Sequence, residues 1–213
     1  MKKLFLASYF TEVAELFPLF ADEDIAGKKV VFIPTAAMYP WAEDEKATLD
    51  ELTSTDRSSL QKLGLLVEDL DVAAASSEAV EKCITSTDYI FVCGGDSFYL
   101  MQELRRKGAD KLIVEHINKG KPYVSTSAGG IILQKDIVDD GIEKPEFATD
   151  LKGDYTALGI IDFYLYVHYG SHYWGDDDEC IRKYYDGKLD YVKISDKQAV
   201  SVKGDKIEVV TAP

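Results

Sequence analysis

Asp88-Tyr89-Ile90-Phe91-Val92-Cys93-Gly94-Gly95 is the stretch on which the fold turns. An unbroken apolar run, stopped by a glycine pair, is the pattern of a strand buried on both faces. A strand with one wet face would alternate apolar and polar instead. Working outward, helical periodicity follows over residues 97–106 and 109–118, and a short helix precedes it near residues 77–83. Lys29-Val30-Val31-Phe32-Ile33-Pro34 repeats the buried-strand pattern and ends at a proline. A long helical pattern over residues 42–63 and a strand over residues 65–70 come next. Nearer the start, the run Leu4 to Ala7 enters a helix-like stretch near residues 11–20. Lys121-Pro122-Tyr123-Val124-Ser125 is a short strand that runs straight into Ser127-Ala128-Gly129.

Alternation of this kind predicts βαβ units: an α/β fold with three layers, α/β/α, around a mainly parallel sheet. The C-terminal part differs. Residues 160–167 are apolar and aromatic, and residues 191–194, 198–202 and 206–210 read as short strands. Lys203-Gly204-Asp205 suits a hairpin turn, so the sheet is expected to gain antiparallel strands near the C-terminus.

The chain has 213 residues, enough to bury a core without disulfide or metal staples. Its net charge of −14 argues against nucleic acid as a partner, since phosphate contacts need clustered Lys and Arg. Cys83, Cys93 and Cys180 have no metal-ligand or redox spacing, and Cys93 reads as a buried small hydrophobe. The apolar run near Met1 is too short for a signal segment, and no stretch is long enough to span a membrane. These features lead us to expect a cytoplasmic protein with reduced thiols.

In an open parallel sheet, ligands bind beyond the carboxyl ends of the strands. Two loops fall there: Gly94-Gly95-Asp96-Ser97 and Ser125-Thr126-Ser127-Ala128-Gly129-Gly130. The second has the form of a nucleophile elbow, which needs small residues two before and two after the nucleophile. With Ser127 as nucleophile those positions hold Ser125 and Gly129. With Ser125 they would hold Tyr123 and Ser127, and the tyrosine would crowd the turn. A helix starting at Ala128 would favour a developing anion. The competing reading makes Ser127 an ordinary helix N-cap. Gly94-Gly95 reads either as a simple turn or as part of an oxyanion hole, with the N–H groups of Gly95 and Ala128 as donors.

A serine nucleophile needs a base. His116 lies near a predicted helix C-terminus and reads as a surface histidine stabilised by the helix dipole. His168 follows the apolar strand Asp162-Phe163-Tyr164-Leu165-Tyr166-Val167, at a carboxyl edge, and is the first candidate. His172 is the second. His168 and His172, with Asp176-Asp177-Asp178-Glu179 nearby, also permit a metal reading. Gly170 between the histidines argues for a loop rather than one helical face, and no metal is expected. Asp196, in a turn between two strands, is the candidate carboxylate, with Asp139 and Asp140 as rivals. Tyr169, Tyr173 and Trp174 suit a substrate pocket or the subunit interface of a homodimer.

Together these segments resemble peptidase family S51, the group of aspartyl dipeptidases and cyanophycinases. The resemblance rests on Phe32-Ile33-Pro34-Thr35-Ala36-Ala37, Gly94-Gly95-Asp96-Ser97-Phe98-Tyr99-Leu100, Ser127-Ala128-Gly129, Val167-His168-Tyr169-Gly170 and Lys193-Ile194-Ser195-Asp196-Lys197-Gln198-Ala199. It implies one peptidase domain over residues 1–213, with a flavodoxin-like fold similar to class I glutamine amidotransferases. It also implies cofactor-free hydrolysis of short peptides by Ser127, His168 and Asp196, the last standing where the dipeptidases carry Glu. Tyr169, His172 and Arg182 are candidate substrate contacts. The family's aspartate-binding arginine has no clear counterpart: Arg182 comes one helical turn late, behind an acidic run. Those carboxylates would repel an aspartyl substrate and attract a free amino terminus or a basic side chain. The alternative function is a non-catalytic binding or regulatory protein on the same fold.

Overall fold

A computed structural model describes residues 1–40, 43–137, 148–171 and 191–213. Its elements, in chain order, are β1 (Lys3–Ala7), α1 (Phe10–Val13), α2 (Phe17–Ala21), β2 (Lys29–Ile33), α3 (Glu43–Lys62), β3 (Leu66–Asp69), α4 (Ser77–Ser86) and β4 (Tyr89–Val92). There follow α5 (Ser97–Lys107), α6 (Ala109–Asn118), β5 (Tyr123–Thr126), α7 (Ala128–Ile131), β6 (Tyr164–Tyr166), β7 (Tyr191–Lys193), β8 (Gln198–Lys203) and β9 (Lys206–Thr211). A seven-stranded sheet has the order β3-β2-β4-β5-β1-β8-β9. The first five strands of that order are parallel, while β8 and β9 add antiparallel at one edge.

Both faces of the sheet are covered, which is why β4 is apolar or aromatic throughout and β1 and β2 are apolar after their first lysine. Leu4, Leu6, Ile90 and Val92 point to one side and pack with Ile84 of α4, Leu104 of α5 and Ile113 of α6. Phe5, Phe32, Phe91 and Val124 point to the other side and pack with Phe10, Phe17, Phe20 and Leu60. Phe10 stands edge-on to Phe91 at 5.0 Å between ring centroids, and Phe32 stacks on Phe91 at 5.2 Å. Each such buried side chain contributes roughly 1.5–3 kcal/mol of transfer free energy. Cys93 is buried among them, as expected, and burial pushes its thiol pKa up.

Two expectations change. The helix-like stretch near residues 11–20 is broken: α1 passes into a 3-10 turn at Ala14–Leu16 and restarts as α2. Pro18 explains the restart, because it has no N–H to donate and is tolerated only in a first helical turn. The strand β7 does not join the main sheet. It pairs in parallel with β6 as a separate two-stranded sheet, Tyr164↔Tyr191 to Tyr166↔Lys193. Leu165 lies buried in the core and Val192 packs against it, so the alternate tyrosines and Lys193 take the opposite face. The hairpin between β8 and β9 forms as read, with Lys203 opposite Lys206 and Gly204 at a φ of 63°.

One buried carboxylate joins layers of the fold. Asp56, from the middle of α3, accepts from Thr126 Oγ1 at 2.8 Å and from Thr11 Oγ1 at 2.9 Å and Thr11 N at 3.2 Å. Thr126 in turn accepts from the Phe10 N–H at 3.2 Å. Burial outweighs these donors and raises the Asp56 pKa from 3.8 to about 6. The folded chain therefore holds a proton that the unfolded chain has already released. This contribution is complete below pH 3.8 and is lost as the pH rises through 6. The loss amounts to roughly 3 kcal/mol at 1.36 kcal/mol per unit. Asp56→Asn, which does not titrate, is expected to flatten the decline in stability between pH 4 and pH 7 by about that amount. Urea midpoints of wild type and variant across this range are the check, and parallel curves would refute the assignment.

Candidate active site

Strand β5 ends at Thr126, and the chain turns sharply at Ser127. Its N–H still continues the sheet ladder, donating to Ala7 O of β1 at 2.9 Å. Its own backbone sits at φ 47° and ψ −113°, a conformation that side chains rarely adopt. Strain of this kind costs on the order of 1–3 kcal/mol and persists only where the surroundings enforce it. Gly129 shows the enforcement: a Cβ there would lie 2.4 Å from Val92 O. Only glycine lets α7 lie this close to β4. Ser125, in β5 just before the turn, is fully buried, and its Oγ has no hydrogen-bond partner among the described residues.

Ser127 does not cap α7 with its side chain. Its Oγ lies 3.0 Å from His168 Nε2 instead. The four residues of α7 are too few for a substantial helix dipole, so the field expected at its start reduces to individual N–H groups. On the β4 side, the glycine loop closes in. A Cβ on Gly94 would stand 3.2 Å from Ser127 Cβ, and one on Gly95 would stand 2.3 Å from Ala36 C and O. Gly95 also has a φ of 135°. Among the described residues, the N–H groups of Gly95 and Ala128 donate to no backbone carbonyl.

His168 comes from outside the main sheet. It follows β6 by two residues, at a φ of 58°. Its segment is bracketed by one residue of the neighbouring segment: Ile194 N–H donates to Tyr166 O at 2.9 Å, and Tyr169 N–H donates to Ile194 O at 3.1 Å. Gln134 Oε1 accepts the Leu165 N–H at 2.6 Å and holds β6 from the other side. The same pairing delivers Asp196, just past β7, whose Oδ1 lies 2.6 Å from His168 Nδ1. That hydrogen bond holds the Asp196 pKa below the ordinary carboxylate value; burial opposes the shift, and the hydroxyls of Ser8 and Ser171 reinforce it. An ionised Asp196 accepts, so Nδ1 carries the imidazole proton and Nε2 is left to accept from Ser127.

The structure thus brings Ser127, His168 and Asp196 into one hydrogen-bonded chain. Tyr169 stands beside them, 38 % exposed, with the Lys193 ammonium 4.7 Å from its ring centre. His116 corrects the reading of it as a surface group. It is buried at the end of α6, its Nε2 is 3.0 Å from Pro122 O, and burial lowers its pKa to about 4. His172, Arg182, Tyr173, Trp174, Cys180, the acidic run Asp176 to Glu179, and Asp139 and Asp140 lie outside the described residues. Sequence reasoning missed Ser8. It follows β1 at the carboxyl edge and is fully buried. Its Oγ donates to Asp196 Oδ1 at 3.0 Å and accepts from the His168 N–H at 2.7 Å. Its place after a buried strand was the available signal, but a lone serine there has no distinguishing pattern.

Comparison with known proteins bears on this geometry. The family model for peptidase family S51 matches residues 4–210. An uncharacterized peptidase of Listeria monocytogenes is 36% identical over 211 residues, covering 97% of both chains. A peptidase E of Shewanella amazonensis is 34% identical over 120 residues, which is 54% of this chain and 46% of that protein. A crystal structure titled as a candidate peptidase E protein from Listeria monocytogenes superposes with a TM-score of 0.87 at 33% identity, covering 99% of this chain and 98% of that one. The mostly parallel sheet with antiparallel C-terminal strands is the flavodoxin-like arrangement of these proteins. The chain belongs to peptidase family S51.

Proposed function

We propose that this peptidase is of the serine type and hydrolyses short peptides, as a dipeptidase does, through an acyl-enzyme. The observation that carries the reading is the hydrogen-bonded chain from Ser127 Oγ through the His168 ring to Asp196, with Ser127 on a strained turn. In the proposed reaction His168 Nε2 takes the Ser127 proton as Oγ attacks the scissile carbonyl. The tetrahedral oxyanion forms beside the N–H groups of Gly95 and Ala128, each donor worth about 3 kcal/mol in the transition state. His168 then gives its proton to the leaving amine. Water, deprotonated by the same nitrogen, hydrolyses the ester. Asp196 keeps the imidazole in the required tautomer and stabilises the imidazolium. No step calls for a cofactor. Acylation rather than passive binding is supported by the side-chain partner of Ser127: a cap would bond to its own helix, whereas this Oγ addresses a base.

A fluorophosphonate probe tests the nucleophile. Ser127→Ala is expected to abolish labelling and to lower peptide hydrolysis by at least ~1,000-fold. Ser125→Ala is expected to keep both, and to leave stability unchanged or raise it by about 1 kcal/mol, because it removes a buried hydroxyl that has no partner. Labelling that survives in Ser127→Ala, or no labelling of the folded wild type, would refute the serine mechanism.

The same enzyme is proposed not to favour aspartyl dipeptides, because the sequence carries the acidic run Asp176 to Glu179 where the resemblance leads one to expect an arginine, and carboxylates would repel an aspartyl side chain. A dipeptide-library screen with Ser127→Ala as control is expected to rank Lys-X or neutral dipeptides above Asp-X. A preference for Asp-X would overturn this assignment of specificity and leave the nucleophile untouched.

A further inference from the structure

Within the serine-peptidase reading, on which this inference rests, we propose that Ser8 is a positioning residue that sets the geometry and charge of the His168–Asp196 pair. Its hydroxyl touches both members. It accepts the His168 backbone N–H at 2.7 Å, donates to Asp196 Oδ1 at 3.0 Å and lies 3.3 Å from His168 Nδ1. The Ser8 residue is fully buried, so it acts on the reaction through these partners rather than by touching substrate.

Each contact has a separate consequence. His168 has a φ of 58°, a left-handed conformation that a histidine adopts at an energetic cost. The hydrogen bond to Ser8 fixes the amide on that unfavourable residue and hence the direction in which the ring leaves the backbone. The second contact is electrostatic. A hydroxyl has a single proton, and Asp196 receives it, alongside the proton on His168 Nδ1. Asp196 therefore shares its negative charge among His168 Nδ1, the Ser8 hydroxyl and the Ser171 hydroxyl. Ser8 itself is held by the sheet: its N–H donates to Gln198 O at 3.2 Å. The element that aligns the base is thus tied to the strand that starts two residues after Asp196.

Removing the hydroxyl has a definite sign. With one donor fewer, Asp196 presents more charge to His168 and favours the imidazolium. More of the base is then protonated at a given pH, so the acid limb of kcat/KM moves to higher pH. The ring also loses its fixed direction, which slows the attack of Ser127. Hydrogen bonds to charged groups are worth enough for Ser8→Ala to lower kcat and the rate of fluorophosphonate labelling by about 10- to 100-fold, with KM within about twofold of wild type.

A double-mutant cycle with Asp196→Asn separates positioning from simple packing. In the Asp196→Asn background, Ser8→Ala is expected to cost less than about threefold, because the pair it serves is already broken. An equal loss in both backgrounds, or an acid limb that does not move, would overturn the proposal. Should Ser8→Ala fail to fold, Ser8→Cys provides the same reading with side-chain volume retained and only a weak donor. It is expected to be slowed and shifted in the same direction, and a wild-type rate and profile would count against Ser8. Hydrolysis that persists in Ser127→Ala would instead remove the serine mechanism itself, a result separable from any obtained with Ser8.

Discussion

The end of β1 is the constraint on which the site depends. This strand lies between parallel β5 and antiparallel β8. Its last carbonyl, Ala7 O, receives the Ser127 N–H, and the next amide, Ser8 N–H, goes to Gln198 O. Two adjacent backbone groups thereby tie the turn after β5 to the start of β8. These segments are more than a hundred residues from β1 in the chain, and nothing local brings them together. The antiparallel sense of β8 matters here. A strand running the other way begins at the edge where parallel strands end, so the residues before Gln198 arrive beside Ser127. Replacing β8 with a sixth parallel strand would send Asp196 to the far end of the sheet.

A second, smaller pairing completes the arrangement. The parallel sheet of β6 and β7 does little for the core, since only Leu165 is buried deeply. It sets two members of the proposed triad in register, because His168 and Asp196 leave the ends of neighbouring strands. Ile194 donates to the residue two before His168 and accepts from the residue after it. The histidine is thus clamped from both sides, and its positive φ is sustained by neighbours rather than by intrinsic preference. Strain at Ser127 has the same character. The backbone is forced by the approach of Gly129 to Val92 on one side and of the Gly94-Gly95 loop on the other. In the proposed reaction a rigid, strained turn has little freedom to lose on reaching the transition state, which is the advantage of preorganisation.

Much of this was legible in the sequence, for reasons that separate it from what was not. The strands over Val30 to Ile33 and Tyr89 to Val92 were readable because burial on both faces leaves an unbroken apolar run. That Ser127 rather than Ser125 stands at the strained turn was readable because close packing demands small residues at fixed offsets. The role of β7 was not, since a short apolar strand carries no mark of which sheet it joins. Nor was the burial of His116: a histidine near a helix end has the same neighbours in sequence whether or not a following loop folds over it. Asp56 and Ser8 were illegible for a related reason. Each is satisfied by partners tens of residues or more away, Thr126 for one and His168 and Asp196 for the other. One chain's sequence reports the periodicity of an element but not the distant hydrogen-bond partner that makes a buried polar group tolerable.

The shorter acid can be understood on the same terms. Aspartyl dipeptidases, which this sequence resembles, carry Glu at the position of the third group, and an aspartate loses one methylene of reach. In this chain the backbone around Asp196 is held by a local turn. Residues 195–198 form a tight turn in which Gln198 N–H donates to Ser195 O at 2.9 Å and Ser195 N–H donates to Gln198 Oε1 at 2.9 Å. This turn holds the Asp196 backbone close enough for Oδ1 to stand 2.6 Å from the ring. A short side chain on a fixed turn has fewer rotamers to lose than a glutamate reaching from further away. It also places the carboxylate 3.0 Å from Ser8 Oγ, so the turn of residues 195–198 and the end of β1 act on the same His168–Asp196 pair.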